Sequence, residues 1–224
     1  MNLNIYTTLI VSIITQVITG IIELLAAFVK IPTKMLLLKQ LLILELFVQL
    51  IEGSFYLYWF YNFTNIANVT PKRYLDWALT TPTMLVTLVF YLIYLKNKDS
   101  NDKYPLDFFE LFNQEFYTII IILLLNWLML LFGYVGEINM LPVLLGVSLG
   151  FIPFLIYYYI IYTKYAVLSD DGLNIFFYFF IVWLLYGVVA ILPYNLKNMC
   201  YNILDLFSKN FFGIFLSYLL LTNA

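Results

Sequence analysis

The stretch Asp205-Leu206-Phe207-Ser208-Lys209 places two opposite charges inside a run that is otherwise almost wholly apolar, from Asn202 to Leu221. Asp205 and Lys209 are four residues apart, so on a helix they share one face. A charge at mid-bilayer depth costs at least about 2.5–3.5 kcal/mol and is therefore expected to serve a function. Because apolar residues follow Lys209, its amine cannot easily reach water at the helix end. Two interpretations stay open: a structural ion pair, or a Schiff base between the lysine amine and an aldehyde cofactor.

The composition around this stretch is that of a membrane protein. Of 224 residues, 64% are hydrophobic and 11% are charged, and the mean hydropathy is +0.94. These values exclude a soluble globular domain and predict an all-α, multi-pass membrane protein integral to the host or cell membrane, with the lipid bilayer as its surroundings. The apolar runs do not alternate with polar residues, as the strands of a membrane barrel would.

Scarce residue types exclude several functions. The single cysteine, Cys200, excludes an internal disulfide and a cysteine metal cluster, and the chain has no histidine. We therefore predict no metal centre, and any proton transfer must use carboxyl groups. The net charge of −2 without a basic patch argues against nucleic acid as a partner. The first apolar segment lacks an A-x-A-like cleavage site, so we expect it to be retained as a span.

Seven apolar segments are long enough to cross a bilayer, and short connections join them. They predict one domain over residues 1–224, a seven-transmembrane helix bundle. The predicted spans are Leu3–Phe28, Met35–Tyr61, Tyr74–Leu95, Phe108–Gly133, Leu141–Tyr162, Leu173–Leu192 and Tyr201–Leu221.

Basic residues predict the orientation of the bundle, because they are more frequent in cytoplasmic loops. The loops after spans one, three and five hold most of them, which predicts an extracellular N-terminus and a cytoplasmic C-terminus. The residues of that side are Lys30, Lys34, Lys39, Lys96, Lys98, Lys103 and Lys164, against Lys72, Arg73 and Lys197 on the other.

The second span carries a polar stripe. Glu45, Gln49 and Glu52 are spaced i, i+4 and i+7, so they lie on one face of a helix. In lipid, such a face must point into the bundle or a wet cavity. It is either a buried hydrogen-bond seam that sets helix packing or the lining of a cation path. The first span adds Ser12 and Glu23.

The third span begins with the run Arg73-Tyr74-Leu75-Asp76-Trp77-Ala78-Leu79-Thr80-Thr81-Pro82. Asp76 and Thr80 share a face, and Pro82 removes one helical hydrogen bond. A protonated Schiff base at Lys209 would need nearby carboxylates, for which Asp76 and Asp205 are available, and Arg73 would offset their charge. Trp183 and Tyr186 in span six are spaced i, i+3, as core residues or as the wall of a cofactor pocket.

The two motifs, Arg73-Tyr-x-Asp76-Trp77-x-x-Thr80-Thr81-Pro82 in span three and Asp205-x-x-x-Lys209 in span seven, together resemble those of the microbial rhodopsins. The resemblance covers nearly the whole chain. It implies a photoreceptor, not an enzyme, with all-trans retinal covalently bound to Lys209 and with Asp76 and Asp205 as counter-ions held by Arg73. Asp76 would be the first acceptor of the Schiff-base proton. The implied retinal-pocket residues are Trp77, Thr80, Thr81, Met84, Asn126, Met129, Gly133, Trp183 and Tyr186. Thr81 and Asn126 would bridge spans three and four.

Three positions depart from the family pattern. Thr87 stands where outward proton pumps of the family carry a carboxylate donor. In span six, Gly187 replaces a common proline and Ala190 a common pocket tryptophan, which we expect to loosen the pocket on that side.

Within the family, Ser12, Glu45, Glu52 and Asn210 resemble the light-gated cation channels of large algae-infecting viruses. The resemblance implies a path for monovalent cations or protons along spans one, two, three and seven. Glu45, Glu52 and Asn210 would form its cytoplasmic constriction. An outward proton pump is the alternative, and a photosensor acting through a separate transducer is a third. Family members form dimers, trimers and pentamers, so a homo-oligomer is compatible with the resemblance.

Overall fold

A computed structural model of the protein describes residues 4–99 and 105–222. The predicted start of span one at Leu3, and Lys103 in the orientation argument, lie outside the described residues. The described helices are α1 Ile5–Ala27, α2 Leu36–Tyr61, α3 Thr70–Asp99, α4 Phe108–Gln114, α5 Phe116–Glu137, α6 Val143–Lys164, α7 Asp170–Ala190, α8 Tyr194–Asp205 and α9 Phe211–Thr222.

Seven segments cross the bundle, and the predicted seven-helix membrane fold is confirmed. Six of them are long and apolar enough to span a membrane, the last being α8 and α9 joined into one segment, Tyr194–Thr222. The seventh is α2, which has 26 residues and carries Lys39, Glu45 and Glu52 within its length. The chain is thus an integral, multi-pass membrane protein. The third span, α3, is central: 67% of its most apolar window is buried, against 28% for α5.

The predicted start of the fourth span at Phe108 is wrong. The apolar run divides into a short helix, α4, and the span itself, α5, which begins at Phe116. Asp107 caps α4 by accepting from the backbone N–H of Phe109. At the break, the carboxylate of Glu115 turns away to Lys164, with the Lys164 Nζ 2.6 Å from Glu115 Oε2. The helix is interrupted at Glu115, whose side chain is held by Lys164 of α6, and the apolar character of the run does not reveal this interruption.

Some of the side chains inside the bundle are polar, whereas those on its outer surface are mostly apolar. In α1 the side chains of Ser12, Gln16 and Glu23 are buried, whereas those of Val17 and Leu25 are more than half exposed. This arrangement is expected in lipid, because apolar side chains gain nothing by leaving hydrocarbon whereas polar ones need partners inside the protein. Polar side chains of α1 and α2 consequently meet those of Asn202 and Asn210 within the bundle.

Candidate functional site

The segment that joins α8 to α9 is a π-helical turn, Leu206–Asn210. A π-turn accommodates one extra residue, and such turns are frequent at functional sites. Three consecutive polar residues of this turn, Ser208, Lys209 and Asn210, are all buried. The sequence predicted a regular helix through this stretch. The difference matters because an extra residue in the turn changes which side chains of the segment face the inside of the bundle.

Three carboxyl groups surround the amine of Lys209. The Nζ atom lies 2.6 Å from Asp76 Oδ2, 3.8 Å from Glu52 Oε1 and 3.9 Å from Asp205 Oδ1. All four side chains are buried. The two aspartates predicted as counter-ions are therefore accompanied by a third carboxyl group, that of Glu52. The resemblance had implied a place for Glu52 in the ion path. A buried cation with this many carboxyls nearby is held in place and kept charged.

Arg73 binds one aspartate and not both. Its Nη1 atom lies 3.1 Å from Asp205 Oδ2, its Nε donates to Asn198 Oδ1 at 3.1 Å, and its Nη2 donates to Asn202. Among the described residues no ion pair joins Arg73 to Asp76, so the expectation that it holds both counter-ions is wrong for Asp76. The guanidinium is fully buried and lies 5.0–5.7 Å from the ring centroids of Phe55, Tyr56, Trp59 and Tyr201. Hydrogen bonds and rings on all sides fix its position.

Two tyrosines orient Asp205. Tyr56 donates to Oδ2 and Tyr186 donates to Oδ1, each at 2.7 Å. The Tyr186 hydroxyl also lies 2.7 Å from Ser208 Oγ. With Arg73, these contacts occupy both oxygens of the carboxylate, so Asp205 has little freedom to take up a proton from a neighbour. Asp76 differs, because its Oδ1 has no hydrogen-bond partner.

Polar contacts link the third and fourth spans beside Pro82. Asn126 donates to Thr81 Oγ1 at 2.8 Å, the bridge that the resemblance implied. Proline at 82 has no N–H for the carbonyl four residues earlier, that of Ala78. The indole of Trp127 supplies the missing donor, with Nε1 2.9 Å from Ala78 O. Trp127 thus compensates for the proline within the membrane, where an unpaired carbonyl is costly.

This compensation gives a testable prediction. Replacing Trp127 by Phe should lower stability by about 1 kcal/mol, because the Ala78 carbonyl loses its donor. In a Pro82→Ala background, the restored backbone N–H should serve that carbonyl, and the effect of Trp127→Phe should largely disappear. Thermal unfolding of the four proteins of this double-mutant cycle measures the coupling. Equal effects of Trp127→Phe in both backgrounds would contradict the role given to the indole.

A mainly apolar cavity begins at Lys209 and holds about 750 Å³ of empty space, its opening included. Predicted pocket residues on its wall are Trp77, Thr81, Met84, Met129, Gly133, Trp183 and Tyr186. The predicted residues Thr80 and Asn126 are not on the wall. Thr80 donates to Asp76 O, and Asn126 lies behind Thr81. Residues that sequence reasoning did not assign to the wall include Tyr74, Gly146, Gly150, Phe151, Phe154 and Tyr201.

Gly187 and Ala190 also line this cavity. A Cβ atom at position 187 would lie 2.5 Å from Phe151 Cζ, so the Phe151 ring occupies the space that a side chain there would take. An apolar cavity with an amine at one end and aromatic walls suits an elongated apolar aldehyde such as retinal. The residues present therefore fit the cofactor that the resemblance implied.

A row of buried polar groups extends from both sides of Lys209. On the side where α1 begins, Ser12 donates to the backbone oxygen of Asn202 at 3.1 Å. On the side where α9 ends, Asn210 donates to Thr19 Oγ1 at 2.7 Å and to Gln49 Oε1 at 3.0 Å. Gln49 also donates to Thr19, at 2.5 Å. Of the residues predicted for the cytoplasmic constriction, Asn210 thus hydrogen-bonds to Thr19 and Gln49, which the sequence reasoning had not included in it. Unpartnered buried atoms along this row belong to Gln16, Glu23, Glu45, Glu52, Asp76 and Asn210.

The fold and the site together define a seven-helix membrane protein with a buried, carboxyl-paired lysine at the end of an apolar cavity. Residues 6–223 match the family model described as bacteriorhodopsin-like protein, and the chain belongs to that family. The predicted resemblance to the microbial rhodopsins is thus confirmed. No curated protein matches the sequence.

Solved structures agree with this assignment. The viral rhodopsin OLPVRII is 28% identical, with a TM-score of 0.82 over 97% of this chain and 98% of that chain. Xanthorhodopsin, described as a light-driven ion pump with dual chromophore, is 18% identical, with a TM-score of 0.73 over 96% and 91%. Halorhodopsin, a light-driven chloride pump, is 15% identical, with a TM-score of 0.71 over 98% and 95%. The last two are similar in fold alone.

Proposed function

We propose that the protein carries all-trans retinal on Lys209 and acts as a light-gated cation channel. The observation that carries the proposal is the row of buried polar groups on spans one, two, three and seven, several of them without partners. Buried polar groups are normally hydrogen-bonded, so unpartnered ones in a row indicate a place that water and cations enter. The likeness to a viral rhodopsin over nearly the full length of both chains supports the retinal part of the proposal.

Retinal would be held by the Lys209 nitrogen and by the cavity walls. The amine would condense with the aldehyde, with loss of water, and the resulting nitrogen would keep one proton. When bound, retinal supplies absorption of visible light and a change of shape on excitation. Asp76, 2.6 Å from the Lys209 nitrogen, is placed to balance its charge and then to accept its proton. Its Oδ1 has no hydrogen bond to give up, whereas Asp205 is held by three donors.

Two constrictions would close the path in the dark. On one side, the buried guanidinium of Arg73 fills the space between four aromatic rings and the Asn198 and Asn202 side chains. On the other, the hydrogen bonds among Thr19, Gln49 and Asn210 tie α1, α2 and the π-turn together. Because Asn210 directly follows Lys209, a shift of the lysine backbone would strain these bonds first. Water could then replace them and admit a cation.

The distribution of lysines supports the proposed orientation, with α1 beginning outside the cell. In this orientation Arg73 closes the extracellular half of the path and the Thr19, Gln49 and Asn210 cluster closes the cytoplasmic half. Glu23 and Glu45 then lie on the cytoplasmic side of that cluster.

Whole-cell recording with all-trans retinal supplied tests the proposal. Light should produce a current whose reversal potential follows the gradient of the permeant cation, because a channel conducts passively in both directions. A current of one direction at every voltage would eliminate the channel and favour the alternative, an outward proton pump. The pump is favoured by the short contact between Asp76 and Lys209, but Thr87 cannot act as its cytoplasmic donor.

Glu52 distinguishes the two functions. Replacing Glu52 by Gln removes a charge 3.8 Å from Lys209 at the centre of the proposed path. In a channel, we expect the conductance or the cation preference of the photocurrent to change several-fold. In a pump, the loss of this charge beside the Lys209 nitrogen should change the size of the light-driven current, but the current should keep one direction at every voltage. The conservative control is Ser54→Ala on the same helix, since Ser54 is exposed and donates to its own helix at Leu50 O. An unaltered current–voltage relation in Glu52→Gln would contradict the channel.

A further inference from the structure

The π-turn deprives one backbone carbonyl, that of Phe207, of its regular hydrogen bond. In an α-helix each N–H donates to the carbonyl four residues earlier, so the N–H of Phe211 would donate to Phe207 O. In this turn the Phe211 N–H donates to Leu206 O instead, five residues back. The Phe207 carbonyl therefore needs another donor, because an unpaired carbonyl within the membrane is costly.

Tyr178 of α7 is that donor. Its hydroxyl donates to Phe207 O at 2.7 Å. The ring of Tyr178 also packs on that of Phe211, the first residue of α9, with the ring centroids 4.7 Å apart. Next to them, the rings of Phe179 and Phe212 meet at 4.9 Å. These ring contacts hold α7 against the start of α9, so they direct the Tyr178 hydroxyl at the turn.

A second tyrosine of α7 binds the following residue of the turn. The hydroxyl of Tyr186 lies 2.7 Å from Ser208 Oγ, and it is about two helical turns from Tyr178 along α7. Tyr178 thus holds the backbone of Phe207 and Tyr186 holds the side chain of Ser208. The next residue in the chain is Lys209. Both residues that precede the lysine are therefore fixed by hydroxyl groups of the sixth span.

The donor from Tyr178 favours the π-turn over a regular helix. In a regular helix the Phe211 N–H would return to Phe207 O, and the Tyr178 hydroxyl would lose its acceptor. Removing one residue's worth of winding would also rotate the helix on one side of the turn by about 100° relative to the other. The position of the Lys209 nitrogen, 2.6 Å from Asp76 Oδ2 on α3, therefore depends on the winding of this turn.

We propose that Tyr178 is a positioning residue for Lys209. Its hydroxyl stabilises the π-turn and thereby keeps the Lys209 nitrogen beside Asp76. The importance of this contact for the response to light rests on the proposed function, in which Asp76 balances the charge of that nitrogen and accepts its proton. The contact itself involves no cofactor, so it can be measured in the full-length protein with or without retinal.

The hydrogen bond is tested first. Phe207 is the only phenylalanine in the sequence that is followed by a serine. Protein labelled with ¹³C at the phenylalanine carbonyls and with ¹⁵N at the serine amides therefore gives one carbon–nitrogen-filtered signal in solid-state NMR, that of the Phe207 carbonyl. In Tyr178→Phe we expect this signal to shift to lower frequency, because a carbonyl that loses its donor is less polarised.

The position of the lysine is tested second. Among the described residues every ion pair between a lysine and an aspartate involves Lys209, with Asp76 at 2.6 Å and Asp205 at 3.9 Å. The dipolar coupling between ¹⁵N at lysine Nζ and ¹³C at the aspartate carboxyls therefore reports this nitrogen. In cofactor-free Tyr178→Phe, part of the coupling should be lost. In the retinal-loaded variant the visible absorption maximum should shift, because the interaction of the charged nitrogen with its counter-ion depends on their separation.

Tyr218→Phe is the matched control. It removes a hydroxyl from the same span as Lys209, at a residue that is 62% exposed, and it should leave the carbonyl signal, the coupling and the absorption maximum as in the wild type. An unchanged Phe207 signal in Tyr178→Phe would overturn the proposal, because the hydroxyl would then not bind this carbonyl. A shifted signal with unchanged coupling and absorption maximum would also overturn it, since Tyr178 would then serve packing alone.

The proposed function can fail independently of this inference. If the wild type gives no passive photocurrent, or takes up no retinal, the two NMR measurements on the cofactor-free protein still decide the role of Tyr178. If light opens a passive conductance in the wild type but Tyr178→Phe keeps the wild-type carbonyl signal and coupling, the channel stands and the positioning role is wrong.

Discussion

Replacing Lys209 by Ala should abolish visible absorbance and photocurrent together. The nitrogen of this side chain is the one amine on the wall of the apolar cavity among the described residues, and it is surrounded by Asp76, Glu52 and Asp205. Without it the aldehyde of retinal has no nitrogen with which to condense. The measurement is the absorption spectrum of purified protein after incubation with all-trans retinal, followed by whole-cell recording under light.

Two further variants separate loss of the bond from loss of the fold. Lys209→Arg keeps a cation near the carboxyls but cannot condense with an aldehyde, so it should also be colourless while it folds and reaches the membrane. Lys30→Ala changes an exposed lysine of the loop after α1 and should keep the colour and current of the wild type. A visible pigment in Lys209→Ala or Lys209→Arg would show that another amine holds the cofactor.

Replacing Asp205 by Asn should cause the largest loss of stability among single substitutions at the site. Arg73 and Asp205 are both fully buried, with Nη1 and Oδ2 at 3.1 Å. Removing one charge of a buried pair leaves the other without compensation and costs about 3–5 kcal/mol. For a protein of this size we expect the midpoint of thermal unfolding to fall by roughly 6–20 °C. Loss of visible absorbance on heating, or of ellipticity, measures the midpoint.

Glu115→Gln is the comparison for this prediction. The pair of Glu115 with Lys164 is shorter, with Nζ and Oε2 at 2.6 Å, but both side chains are partly exposed. Partly exposed ion pairs contribute about 1 kcal/mol or less, because water solvates the remaining charge. We therefore expect a far smaller change in the unfolding midpoint for Glu115→Gln than for Asp205→Asn. Comparable changes in the two variants would mean that water reaches Arg73, contrary to its burial.

The fold could be predicted from the sequence because apolar segments of sufficient length define spans in lipid. Lys209 could be identified because a charged residue is conspicuous within an apolar segment. The start of the fourth span was wrong because the helix is interrupted at Glu115, whose ion-pair partner Lys164 lies in a different span. The π-turn was missed for a related reason. The spacing of Asp205 and Lys209 fits a regular helix, and only packing around the turn reveals the extra residue.

Within the site, some omitted residues had a signal that could have been used. Asn198, Asn202 and Asp205 have the same i, i+4, i+7 spacing as the stripe of α2, and the two asparagines bind Arg73. Other contacts have no such signal. Tyr56 is one of twenty tyrosines in the chain, and the contact of Tyr178 with Phe207 joins α7 to the π-turn. Such contacts depend on how the spans pack against one another, and the sequence of a single chain does not specify that packing.

The claim on which the rest depends is that retinal is joined to the nitrogen of Lys209, and chemical trapping of that bond tests it most directly. Borohydride reduction of the retinal-loaded protein should fix the cofactor to the chain, and peptide mass spectrometry should find it on the fragment of the seventh span that contains Lys209. A retinyl group on any other lysine, or a coloured protein that yields no adduct on this fragment, would contradict the account.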